Sequence, residues 1–248
     1  MISRAGIACE TDGDGDDLLL LLHGLGATGA VWWRLVPLIP GRWAAPDLRG
    51  HGRSPAEPPY GYAVHAADMA GLVTELGAGR VTVLGHSFGG VVGALLGSGE
   101  FGVAVERVVA VGTKLEWTAE EEAAARALAD RPPTVFATRE EAAARHLAVA
   151  GLRGLALPDD EVALAGVREV DGGWAVALDN RAFSVVGPSV PGILRRSVAP
   201  LHLAAGEGDP MVSLPAMQRV DPSASVLAGA GHNAHWEAPE QVWSLLER

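Results

Sequence analysis

Short apolar runs separated by helix-like stretches dominate the pattern along this chain. Leu18 to Leu22, Trp43 to Ala45, Val81 to Leu84 and Val105 to Val111 are unbroken enough to be strands covered on both faces. Leu201 to Ala205 and Ser225 to Leu227 complete the set. Helical spacing falls between them at Ala30 to Leu38, His65 to Leu76, Val91 to Leu96, Pro215 to Val220 and Glu240 to Leu246. An opening hairpin-like segment, Ile2 to Ala8, is turned by Thr11-Asp12-Gly13-Asp14-Gly15. Strands alternating with helices predict an α/β fold, a doubly wound and mostly parallel sheet with ligands at the carboxyl ends of its strands.

The rhythm breaks from Lys114 to Arg196, where Ala, Glu and Arg prevail and no strand of the main sheet is evident. Thr118-Ala119-Glu120-Glu121 and Thr138-Arg139-Glu140-Glu141 have the spacing of capping boxes, in which threonine and glutamate each satisfy a backbone donor left open at a helix start. Pro132-Pro133 and Gly151 punctuate these helices, and Asp171-Gly172-Gly173 marks a turn. The expected organisation is a core domain of residues 1–113 and 197–248, with residues 114–196 inserted as a mainly helical cap.

Composition narrows the function classes. Lys plus Arg total 19 against 30 Asp plus Glu, a formal charge of -11 that repels nucleic-acid backbones and anionic lipid surfaces. The apolar runs are too short to span a bilayer, no basic and apolar leader opens the chain, and the single cysteine, Cys9, reads as a small strand residue. A cytoplasmic protein with no membrane insertion, no nucleic-acid partner and no metal site is expected; the partner is a small-molecule substrate. The scattered histidines lack metal-ligand spacing.

Candidate chemistry begins at Gly85-His86-Ser87-Phe88-Gly89, a Gly-x-Ser-x-Gly pentad directly after a strand and directly before a helix. In a chain with 32 Gly the pentad alone is a weak signal, and a plain tight turn would also produce it. In this context a sharp strand-to-helix turn lifts the Ser87 hydroxyl clear of the sheet, and Gly85 and Gly89 must be small to avoid clashes. The Phe88 N–H, at the helix start, is free to receive an oxyanion.

An acid and a base follow. The strand Leu201 to Ala205 runs into Gly206-Glu207-Gly208-Asp209-Pro210, which puts Asp209 in a loop at a carboxyl end. Glu207, two residues nearer the strand, is better placed to bond local backbone. After the strand at Val226-Leu227 comes Gly229-Ala230-Gly231-His232, where a loop imidazole can reach both Ser87 and Asp209. His235 falls in the next helix and reads as a helix-start or pocket-wall residue.

Serine, acid and histidine in this order resemble the α/β-hydrolase superfamily, in particular its capped, esterase-like serine hydrolases. His23-Gly24-Leu25-Gly26, Asp47-Leu48-Arg49-Gly50-His51-Gly52-Arg53-Ser54, the elbow, Gly206-Glu207-Gly208-Asp209 and Gly231-His232 carry the resemblance across nearly the whole chain. It implies a catalytic set of Ser87, Asp209 and His232 and a second oxyanion donor at the Leu25 N–H. His23 would order that loop. No cofactor is implied. The expected activity is cleavage of a carboxylic ester, lactone or thioester of a small apolar substrate through an acyl-enzyme.

Haloalkane dehalogenases and epoxide hydrolases of the superfamily carry aspartate at the nucleophile position, and such epoxide hydrolases use cap tyrosines. Here position 87 is serine, and Tyr60 and Tyr62 lie outside the cap. Carbon–carbon bond hydrolases share the catalytic set and a tryptophan matched by Trp236, although Asn233 stands where they often have an aromatic. A binding or receptor protein on the same fold is the other alternative. Trp32, Trp33, Met211 and Trp236, with Val212, adjoin the expected site and are candidate substrate contacts, and Trp117 and Trp174 are candidates for its entrance.

Overall fold

A computed structural model describes residues 1–3, 5–185 and 190–247. The chain enters through β1 (Cys9–Asp12), β2 (Asp17–Leu22) and β3 (Trp43–Pro46). Helix α1 (Tyr62–Leu76) leads to β4 (Arg80–His86), α2 (Phe88–Leu96) and β5 (Val105–Val111). The chain then leaves the sheet for α3 (Ala119–Ala129), α4 (Arg139–Val149), α5 (Glu161–Leu164), the strands β6 (Val167–Val170) and β7 (Gly173–Val176), and α6 (Val190–Leu194). It returns through β8 (Leu201–Gly206), α7 (Leu214–Gln218), β9 (Ser225–Leu227), α8 (Ala234–Glu237) and α9 (Pro239–Ser244).

Seven strands form one sheet in the order β1-β3-β2-β4-β5-β8-β9, parallel throughout except for β1. Alternation within β2 shows why its run is unbroken. Leu18, Leu20 and Leu22 join the apolar cluster that holds α1 and α2, whereas Leu19 and Leu21 join the opposite one, which holds Trp32, α4 and α9. Both faces are covered, as a run without polar alternation requires. The strand order reverses between β2 and β4, because β3 is laid on one side of β2 and the later strands on the other. A doubly wound sheet opens a crevice at the carboxyl ends of such a pair. The residues leaving β2 are His23, Gly24 and Leu25, and the residue leaving β4 is Ser87.

The structure differs from the sequence reading in three places. Ala30 to Leu38 is not one helix but two 3₁₀ turns, Gly29–Trp32 and Val36–Leu38, since Pro37 near the start of the second has no N–H to continue the ladder. The opening hairpin reduces to a single bridge between Ile2 and Ala8, and the strand there is β1, which pairs antiparallel with β3. Asp171-Gly172 turns a hairpin, β6 with β7, that stands apart from the main sheet. Both capping boxes form, Thr118 with Glu121 at α3 and Thr138 with Glu141 at α4. Of the span 114–196, residues 186–189 lie outside the described residues. Among the described residues no helix is long and apolar enough to cross a membrane.

Candidate active site

Ser87 has φ 50°, the sole non-glycine residue with positive φ among the described residues. Such a conformation costs about 1–3 kcal/mol and persists only where the surroundings enforce it. They do so here through hydrogen bonds and close packing. The Ser87 N–H donates to Val111 O at 2.8 Å, while Ser87 O accepts from Thr113 Oγ1 and from Gly90 N–H, each at 3.1 Å. A Cβ on Gly85 would lie 2.5 Å from Gly89 backbone, and one on Gly89 would lie 2.2 Å from Leu22 O. The two glycines of the pentad are therefore packing requirements. They let β4, α2 and β2 meet at Ser87.

Asp209 and His232 lie in the loops after β8 and β9, the last two strands at one edge of the sheet. His232 Nδ1 lies 2.8 Å from Asp209 Oδ2, and the Asp209 side chain is completely buried. The other carboxylate oxygen accepts the Met211 N–H at 2.8 Å. A carboxylate only accepts, so the proton of this pair sits on Nδ1 and Nε2 presents its lone pair. Ser87 and His232 line the same cavity. Among the described residues, none hydrogen-bonds the Ser87 hydroxyl or His232 Nε2. Glu207 instead accepts the Gly229 N–H at 3.0 Å, the local backbone role expected of it.

Two buried histidines fix the loop after β2. His23 Nε2 accepts the Leu48 N–H at 2.8 Å, so Nδ1 carries the proton and donates to Gly24 O at 2.8 Å. His51 Nε2 accepts the Gly26 N–H at 3.0 Å and Nδ1 donates to Arg49 O at 3.0 Å. Burial pushes the pKa of His23 down to about 4 and that of His51 to about 3, so both rings are neutral and can accept. Asp47 accepts from the Gly29 and Arg53 N–H groups, and Arg49 makes a two-pronged pair with Asp68, both contacts at 2.7 Å. The Asp47 to Ser54 motif is thus the scaffold of the Leu25 loop. Among the described residues no acceptor takes the N–H of Leu25 or of Phe88, and both residues line the cavity.

Beneath the site lie His86 and His235, with ring centroids 4.2 Å apart. His86 Nε2 donates to His232 O at 3.0 Å and so holds the loop that carries the base. His235 is fully buried against Trp32 and does not line the cavity, and burial lowers its pKa to about 3.

The cavity encloses about 560 Å³. Below, it is bounded by Gly24, Leu25, Ser87, Phe88 and His232; above, by α3 residues Ala124, Ala125 and Leu128, by Val149 to Gly151, and by Phe183. Met211 and Trp117 line it as expected from their positions. Trp32, Trp33 and Trp236 do not, which corrects their reading as substrate contacts. Trp32 is fully buried in the core behind the loop, Trp33 turns away to donate to Glu10 at 2.8 Å, and Trp236 points at Leu155 O, with the Arg34 guanidinium 5.4 Å from its ring. Val212 lines a neighbouring surface hollow, and Trp174 packs against Arg139 on β7.

Sequence reasoning missed Tyr62, whose ring stacks on Phe88 at 5.2 Å and lines the cavity, and the pair Lys114 and Glu121. For Lys114 a signal existed, since it is the only lysine of the chain. Among the described residues, no three His, Cys, Asp or Glu side chains gather as a metal-ligand set.

Comparison with known proteins agrees with this architecture. Lipase LipV of Mycobacterium tuberculosis is 46% identical over 77 residues, 30% of this chain and 29% of that protein, so the match spans under a third of that relative's length. A 2-(acetamidomethylene)succinate hydrolase of Mesorhizobium japonicum is 28% identical over 96% of this chain and 89% of its own. The thioesterase domain from the curacin biosynthetic pathway superposes with a TM-score of 0.77 at 20% identity, covering 98% of this chain and 95% of that one, a likeness of fold. Residues 19–245 match the profile described as "Alpha/beta hydrolase family".

Proposed function

We propose, from the premise that this chain belongs to the alpha/beta hydrolase family, that it is a serine hydrolase acting on a carboxylic ester, lactone or thioester with a small apolar body. One observation carries the reading: a buried Asp209 holds the His232 ring at 2.8 Å, and that ring opens into the same cavity as a serine kept in strained backbone. In this reading His232 Nε2 takes the hydroxyl proton as Ser87 attacks the substrate carbonyl. Asp209 stabilises the imidazolium, and the Leu25 and Phe88 N–H groups hold the oxyanion. The imidazolium then protonates the leaving group. A water, deprotonated by His232 in turn, releases the acyl group. The segment 114–196 is the cap that closes the cavity above. A largely apolar lining suits an apolar acyl or alcohol body, and the volume suits a small ligand. The relatives named as a lipase, a thioesterase domain and a hydrolase favour the same class.

The test is a panel of activated esters of graded acyl length, run on the natural chain and on Ser87→Ala. Turnover that depends on Ser87 supports the reading. Equal rates for the two proteins contradict it.

A further inference from the structure

We propose that Lys114 anchors a carboxylate carried by the substrate at the end away from the scissile carbonyl. This rests on the serine-hydrolase reading and refines it: an apolar body with one anionic end.

Three observations support the assignment. Lys114 is the only lysine in a chain whose other permanent cations are all arginine, and it lines the cavity. An ammonium is a compact point charge on a flexible stem, suited to a site where a ligand arrives and leaves. Second, the backbone puts it beside the reaction centre. Thr113, its neighbour, bonds Ser87 O at 3.1 Å, and Val111, at the end of β5, takes the Ser87 N–H. Third, its donors are not all used. The side chain is 12% exposed, its Nζ lies 4.6 Å from the Trp117 ring centroid, and Glu121 is the acceptor it meets among the described residues. An ammonium has three donors and no acceptor, so with Glu121 taking one, donor capacity remains for a ligand in the cavity that Lys114 lines.

The Lys114–Glu121 pair is lopsided in a way that permits exchange. Glu121 is 42% exposed, its other oxygen accepts the Thr118 N–H at 2.9 Å, and it sits in the first turn of α3, where a carboxylate is favoured. When a substrate carboxylate takes Lys114, Glu121 keeps the helix start and water. Lys114, largely buried among apolar side chains, is costly to leave without an anionic partner, which favours a substrate carboxylate wherever Glu121 yields its place. With a net charge of -11 the protein as a whole repels anions, so selection of an anionic substrate must come from a local cation.

The experiment compares mono-p-nitrophenyl glutarate with p-nitrophenyl pentanoate, which match in acyl length and differ in the terminal carboxylate. The readout is the ratio of kcat/KM for the anionic over the neutral ester. Lys114→Met is expected to lower this ratio about tenfold or more, Lys114→Arg to retain most of it, and Glu121→Gln to raise it by freeing the cation. A purely structural ion pair would lower both esters alike, together with Tm; an unchanged ratio in Lys114→Met overturns the proposal. Should the natural chain cleave neither ester through Ser87, the hydrolase reading is left to the wider ester panel and the anchor is decided without turnover. Calorimetric titration of glutarate into Ser87→Ala and into Ser87→Ala/Lys114→Met then decides the anchor. Binding lost in the double variant supports it, and equal binding, or none to either, overturns it.

Discussion

The two walls of the cavity are built on opposite principles. Below, fixed hydrogen bonds set the geometry and leave only the groups facing the cavity open: His23 and His51 brace the Leu25 loop, Val111 and Thr113 hold the Ser87 backbone, and Asp209 holds His232. Above, α3 contributes alanines and a leucine. Within α3 only Ala129 is buried, and the helix rests on the 3₁₀ segment Asn180–Val185 and on the pair of Glu121 with Lys114. A wall of interlocked hydrogen bonds keeps one geometry, as proposed chemistry at Ser87 requires. A thin apolar wall can change shape or sequence at small energetic cost. On the proposed reading, reaction type belongs to the lower wall and substrate choice to the upper.

The strongest way to break this contrast is at Ser87. Ser87→Ala should reduce turnover on the order of 10⁶-fold, measured as kcat on any ester the natural chain accepts. His232→Ala should come close to it, whereas folded His235→Ala, which alters a buried ring outside the cavity, should keep activity within about tenfold. The reverse outcome would reassign the base.

Backbone fit in the lower wall comes next. Gly89→Ala brings a methyl to 2.2 Å from Leu22 O, which is backbone and has little room to retreat. A loss of about 3 kcal/mol or more of folding stability is expected by urea denaturation. A change below about 1 kcal/mol would show that β2 and α2 are less tightly joined than the elbow requires.

Acid should weaken the histidine-braced structure. Burial holds His23 at about 4 and His51 and His235 at about 3, well below the ordinary 6.5 they regain on unfolding. Between roughly pH 4 and 6.5 the unfolded chain therefore binds more protons, and stability rises with pH across that window. Conversely, it is lost as pH falls from about 6.5, by at most about 1.4 kcal/mol per pH unit for each ring. Unfolding midpoints measured from pH 7 to 4 should drop steadily; a flat profile would mean that these rings are not kept neutral.

The smallest expected effect is in the upper wall. Thr118→Ala removes the side-chain cap of α3 and should cost about 1 kcal/mol or less, yet shift KM across an ester series more than it shifts kcat. Equal changes in both would erase the division of labour between the walls.

The same contrast explains what could be read from the sequence. The lower wall was legible because each residue there answers a local demand: Gly85 and Gly89 for clearance, Asp209 and His232 for loops at carboxyl ends. The upper wall was not, since Ala124 and Ala125 carry no chemical signature and only the packing of α3 turns them inward. Proximity in sequence also misled for Trp32, Trp33 and Trp236. They neighbour the site along the chain, but their side chains serve the core behind it or the surface beside it. Tyr62 reaches the cavity because the start of α1 lies against Phe88, a contact between residues far apart in sequence. Pro37 broke the expected helix over Ala30 to Leu38 through its missing donor, a local signal outweighed there by the apolar spacing.

The central claim is that Ser87 is a nucleophile activated by His232. Intact-mass and peptide mapping after treatment with a fluorophosphonate tests it most directly. The account predicts one adduct per chain, located on Ser87, absent from Ser87→Ala and formed far more slowly in His232→Ala. No adduct on the folded natural chain, or an adduct that maps elsewhere and persists in Ser87→Ala, would contradict it.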